Sequence, residues 1–76
     1  MAYLVTSLNP SKFIAIDEVD ANTTYIGFAK AGTGASVARW QVRKIVKTGN
    51  VTLFQFADGN ELYDNVWDNR LTLSYS

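Results

Sequence analysis

Apolar and polar residues alternate along most of this chain with a period of two, the period of a strand that buries one face. No window carries an apolar stripe at i, i+3, i+4 and i+7 over three turns, so no long amphipathic helix is expected. Residues 1–8 form the first alternating stretch, with Tyr3 and Val5 set against Leu4, Thr6 and Leu8. Asn9-Pro10-Ser11-Lys12 then supplies turn chemistry, Pro10 fixing φ and removing a donor. Residues 13–16 are a short apolar run, and residues 17–22, rich in Asp and Glu, read as an acidic turn. Residues 23–29 are predicted as a strand with Tyr25 on one face and Ile26 and Phe28 on the other. Gly27 marks a bulge or a close approach within it.

After a small-residue loop at 31–36, residues 37–47 make the longest predicted strand. Trp40, Val42 and Val46 share one face; Arg39, Gln41, Arg43 and Lys47 share the other. Lys44 and Ile45 break the alternation, which implies either a bulge or a strand buried in parts on both sides. Thr48-Gly49-Asn50 is a short hairpin loop leading into Val51–Phe56. Asp58-Gly59 is the strongest hairpin signal, because a type I′ turn needs positive φ at both central positions. It predicts a return strand at residues 60–63. Residues 64–69 read as a polar turn carrying Trp67, with room for a single helical turn. Leu71, Leu73 and Tyr75 then alternate with Thr72 and Ser74 as a final strand. Six or seven short strands with turns every ~8–12 residues predict an all-β domain, a small antiparallel sandwich or partly open barrel, spanning residues 1–76.

Size changes how that domain must be held. Single cores below roughly 70–80 residues rarely supply more than ~3–5 kcal/mol, and natural chains of that size add disulfides, a metal or a partner. With 76 residues, no cysteine and no histidine, disulfides and ordinary zinc sites are excluded. The remaining routes are an aromatic-heavy core or oligomerisation. Val51–Phe56 points to the second: Val51 and Leu53 lie on one face, Phe54 and Phe56 on the other, and a strand apolar on both faces must be covered twice.

The same absences bound the chemistry. Ser-His-Asp and Cys-His nucleophiles and an imidazole base are excluded. Asp64 and Asp68 are a formal acid–base pair, but a chain this short offers no plausible cleft, and no catalytic residue or cofactor is expected. Asp17, Glu18, Asp20 and Asn22 could offer oxygen ligands to calcium; they lack the glycine and terminal glutamate of an EF-hand loop and read better as a solvated turn. Gly32-Thr33-Gly34 lies between strands with no Lys-Ser/Thr pair after it, which fits a flexible connection or a docking arm better than a phosphate loop. No export signal and no apolar run of ~20 residues is present, so synthesis in the cytoplasm and no membrane partner are expected.

Seven Lys and Arg balance seven Asp and Glu, which disfavours a bulk polyanion partner. The charges are nonetheless segregated. Arg39, Arg43, Lys44 and Lys47 lie on one strand, and Asp58, Glu61, Asp64 and Asp68 follow it, so pairing across a hairpin or a subunit boundary is expected. The basic strand with Trp40 also has the outline of a single-stranded nucleic-acid surface, the weakest of three binding readings. Trp67 in its turn is either a plug over one end of the fold, with Asp68 and Arg70 pairing locally, or an exposed aromatic. If exposed, Trp67, Tyr63 and Tyr75 could stack on sugars in a host-attachment module.

Several segments in order carry a resemblance: Thr24-Tyr25-Ile26-Gly27-Phe28-Ala29, a small-residue loop, Trp40-Gln41-Val42-Arg43-Lys44-Ile45, Phe56-Ala57-Asp58-Gly59-Asn60, and the run from Tyr63 to Tyr75. This order resembles a family of small proteins encoded by tailed bacteriophages, over roughly the last two-thirds of the chain. Asp64-Asn65-Val66-Trp67-Asp68-Asn69-Arg70 is its most specific element, and Phe56 stands where the family more often has Trp. The resemblance implies a virion component of the head, neck or tail, or a capsid decoration, and transfers no catalytic residue. The leading expectation is therefore a non-enzymatic structural protein of the virion, working as a homo-oligomer or bound to a larger virion protein. Its expected contacts are Trp67 with Asp68 and Arg70, the basic Arg39, Arg43 and Lys47, and the loop containing Gly32 and Gly34.

Overall fold

Four antiparallel strands follow one another across a single sheet in the computed structural model, which describes residues 12–76. They are β1 (Lys12–Asp20), β2 (Thr23–Lys30), β3 (Ala38–Thr48) and β4 (Val51–Phe56), in the order β1-β2-β3-β4. A two-residue β5 (Asn65–Val66) pairs with the start of β3, and a single 3-10 turn (Trp67–Asn69) follows. The strand expected at residues 1–8 lies outside the described residues. No α-helix occurs among the described residues, and the antiparallel sheet is open: β1 and β4 stand at its ends and do not meet, so it is not a closed barrel.

Local chemistry sets the meander. The β3–β4 hairpin pairs Thr48 with Val51, leaving Gly49 and Asn50 as a two-residue loop. Gly49 has φ +58°, at the position a type II′ turn reserves for glycine. β1 runs further than its apolar run suggests. The acidic residues Asp17, Glu18 and Asp20 belong to the strand, which pairs with β2 through Asp20 opposite Thr23, with an irregularity between Glu18 and Asp20. The turn itself is only Ala21 and Asn22, held by the Asn22 N–H donating to the Asp20 carboxylate at 2.7 Å.

Asp58 and Gly59 both have positive φ (59° and 68°), as their type I′ signal requires. The strand predicted after them does not form. Leu62 and Asn60 close a local turn instead, with the Leu62 N–H donating to the Asn60 side-chain oxygen at 3.0 Å. The partner of the chain beside β4 is its C-terminal end: Phe56 and Ser76 exchange backbone hydrogen bonds, and Ala57 bridges Tyr75. Residues 71–75 accordingly make one bridge at Tyr75 rather than a strand.

Register assigns the faces. Ala15, Gly27 and Val42 stand in one row, as do Asp17, Tyr25, Lys44 and Gln55. On the opposite face Ile16, Ile26, Arg43 and Phe56 form a row. β3 keeps regular pairing through Lys44 and Ile45, and residues 43–46 are all half-buried, so the broken alternation reflects partial burial on both sides and no bulge.

The buried core lies on the first face: Tyr25, Ala29, Trp40, Val42, Ala57 and Trp67. Trp67 and Trp40 pack with ring centroids 5.7 Å apart, directly over Gly27. A methyl group at Gly27 would stand 2.5 Å from the Trp67 ring and 2.9 Å from that of Trp40. Gly27 is thus a point of close approach, one of the two roles its sequence position predicts. Gly27→Ala is expected to lower unfolding free energy by about 1–3 kcal/mol through overpacking, measured by denaturant titration with tryptophan fluorescence.

Candidate interaction surfaces

The C-terminal segment covers the first face as a clasp. β5 starts it at the edge of β3, and Trp67 swings over Gly27. Arg70 then reaches β1, its Nε donating to the Asp17 carboxylate at 2.9 Å, an ion pair between residues 53 apart in sequence. The Arg70 guanidinium also lies 4.6 Å from the Trp67 ring centroid and donates to the Trp67 carbonyl. The chain returns through Leu73 to Tyr75, whose hydroxyl donates to the Arg70 carbonyl at 2.8 Å and whose ring sits 5.6 Å from Tyr25. Lys44 lies beside both tyrosine rings. Burial pushes the Tyr75 phenol well above the ordinary tyrosine range, with the neighbouring Tyr25 adding to the shift.

On the opposite face, among the described residues, the buried Gln41 donates to the Glu61 carbonyl at 2.9 Å at the start of β3, and the rest of the sheet is less covered. Ile16 is 63% exposed and Phe54 61%, while Ile14, Ile26, Phe28, Ile45 and Phe56 around them are half-buried. Arg43 lies in the middle, its guanidinium 4.6 Å from the Phe28 ring centroid and 5.1 Å from that of Phe56, with its Nε donating to Gln41. Edge strand β4 is worse covered still: Val51 and Leu53 on the clasp side are exposed as well as Phe54. The double covering that its sequence demands is missing among the described residues.

The residues expected to make contacts therefore separate into groups. Trp67 is 9% exposed, with Trp40, Gly27 and Arg70 around its ring, and it plugs the fold. Its role as an exposed sugar-stacking residue is corrected, because its faces are occupied. Tyr75 is half-buried in the clasp, and Tyr63 is exposed on the loop before β5. The local Asp68–Arg70 pair is replaced by Asp17–Arg70; Asp68 is exposed, and its backbone N–H binds the Ala35 carbonyl at 3.1 Å. Trp40 donates its indole N–H to the Gly34 carbonyl, so the loop bearing Gly32 and Gly34 docks on its own chain. Arg39 and Lys47 are exposed at the two ends of β3, and Arg43 belongs to the open face.

The pairing of the basic strand with Asp58, Glu61, Asp64 and Asp68 across a hairpin, the first of its two expected forms, does not occur among the described residues, and all four acids are exposed. Arg43 and Lys44 rest on aromatic rings instead. The other acidic group does not converge either: Asp17 and Glu18 alternate to opposite faces of β1, and among the described residues no three acidic side chains form a cluster able to hold a metal ion.

Sequence reasoning singled out Trp67 and Arg70 but missed Asp17 as the partner of Arg70 and the Ile16–Phe54 face as a unit. Asp17 carried a signal in its alternation with Ala15, obscured by the acids around it. No family profile matches the chain, and no curated protein or solved structure is similar to it.

Asp17→Asn is expected to cost only about 0.5–1.5 kcal/mol, since the pair is partly exposed. Arg70→Ala should cost more, because it also uncovers Trp67; paired denaturation curves check the order. In alkaline titration stability should fall as pH rises above the ordinary tyrosine value of about 10, where the unfolded chain releases a proton that folded Tyr75 retains. Tyr75→Phe should flatten that fall.

Proposed function

We propose that this chain is a non-enzymatic structural protein of a tailed-bacteriophage virion, acting in repeated copies or docked on a larger virion protein. The phage assignment rests on the ordered segments from Thr24 to Tyr75. The assembly role rests on one observation: a sheet whose second face, with Ile16 and Phe54, lacks a covering layer among the described residues. Large exposed apolar side chains on one sheet face are a feature of interaction sites in small domains. Burying them supplies the stabilisation that an 8.4 kDa chain without disulfides is short of. On this reading the sheet is one half of a β-sandwich, and a neighbouring chain brings the second layer.

Catalysis has no part in the proposal. Sugar binding is not advanced either, since Trp67 is enclosed and Tyr75 is tied into the clasp.

Light scattering after size exclusion at 10–100 µM (concentrations chosen around typical micromolar affinities) should give a mass above one chain, and mass spectrometry of purified particles should recover the protein. A monomer throughout that range that also fails to bind virion proteins would overturn the proposal.

A further inference from the structure

The two end strands of the sheet are guarded differently. β1 carries Asp17, Glu18 and Asp20, and its pairing with β2 is irregular between Glu18 and Asp20. Charges and irregularities of that kind keep an edge from pairing with another chain. β4 has no charged residue and no proline, and its register along β3 is unbroken. Val51, Leu53 and Phe54 are each more than half exposed, the first two on the clasp side and the third on the open face.

Backbone direction shows which groups of β4 are free. Phe56 turns its N–H and C=O away from β3, and both bond Ser76. That direction alternates along an antiparallel strand, so Thr52 and Phe54 face outward too. Among the described residues no strand lies beyond them, and neither has a backbone partner on that side. Ser76 closes the edge at Phe56, and the Gly49-Asn50 loop closes it at the other end. What remains is a short slot whose donors and acceptors fit an extended segment apolar on both faces.

We infer that this slot takes β4 of a second copy, antiparallel across a two-fold axis, joining two sheets into one. This rests on the self-assembly reading above and adds a contact at the sheet edge to the one at its open face. Thr52 of each copy opposite Phe54 of the other uses the outward N–H and C=O of both residues. Leu53 then meets its twin directly, with Val51 and Gln55 beside it on the same face, and Ser76 stays outside the paired segment. Self-pairing suits β4 because an uncharged strand sets no like charge against itself. The edge of β1 fits the slot worse: it would lay acidic residues beside Leu53 and Phe54, and Asp17 is already held by Arg70. The contact is isologous and closes at two chains.

The chain has no cysteine, so one introduced thiol reports the contact. Directly opposed residues of a non-hydrogen-bonded antiparallel pair lie about 4.5 Å apart at Cα, within reach of a disulfide. On mild oxidation Leu53→Cys should therefore become mostly a linked pair of chains. Ile16→Cys, at a more exposed position on β1, should stay largely unlinked. Leu53→Lys should weaken self-association about tenfold or more by sedimentation velocity, since it sets like charges opposite each other. Its site is exposed, so the near-ultraviolet circular dichroism of the Trp40–Trp67 pair should be unchanged. Thr52→Pro supplies the same loss if that variant misfolds, because the N–H it removes points away from β3. If the wild-type chain assembles, Leu53→Cys links no faster than Ile16→Cys and Leu53→Lys assembles equally well, the edge is wrong while assembly stands. A monomeric wild-type chain overturns the edge contact, and if it also binds no virion protein the proposed function fails with it.

Discussion

The close packing of two indole rings over a glycine organises this molecule. Trp67 reaches the sheet because Gly27 presents no side chain there, and Trp40, one strand over, supplies the surface against which it lies. Everything C-terminal to β4 depends on that contact. Arg70 is delivered to Asp17 because Trp67 is already seated, and Tyr75 is delivered to Tyr25 because Arg70 offers its carbonyl to the phenol. A sheet this small cannot bury a face with strands alone. The clasp converts an irregular tail into the second layer of its core.

Cations behave unusually in this arrangement. Arg43, Lys44 and Arg70 each lie beside aromatic rings, and only Arg70 among the described residues also forms an ion pair. Long basic side chains here serve as partial cover for Phe28, Phe56, Tyr25, Tyr75 and Trp67, keeping their charged ends near water. The acids of residues 58–68 are thereby left exposed and without an ion pair among the described residues. Charge segregation and apolar exposure thus have a common origin: the cations are spent on aromatic surface, and among the described residues one sheet face remains without a layer.

Two covering problems were posed by the strand sequences, and the C-terminal segment solves one. The Tyr25, Trp40 and Val42 face is closed by the clasp. Among the described residues, the face of Ile16, Ile26, Phe28 and Phe54 is shielded by the stem of Arg43 and, beside Phe28, by the Glu61 backbone held to Gln41. Partial shielding of that kind leaves apolar area at Ile16 and Phe54 exposed.

Much of the fold was legible in the residues themselves, because a period of two and turn chemistry are local properties. The alternation in β2 and β3, the Gly49 hairpin, the positive φ at Asp58 and Gly59, and the need for β4 to be covered twice all follow from neighbours in sequence. What residues 60–63 and 71–75 became was not local. Their alternation was too short to outweigh the burial of Trp67, which drew the chain across the sheet and left one bridge at Tyr75 where a strand was expected. The Asp17–Arg70 pair, the enclosure of Trp67 and the exposure of the opposite face likewise depend on which layer covers which side. Sequence alone determined that there would be a sheet with two apolar faces; only tertiary packing decided which face the C-terminal clasp closes, because one clasp can lie on one side.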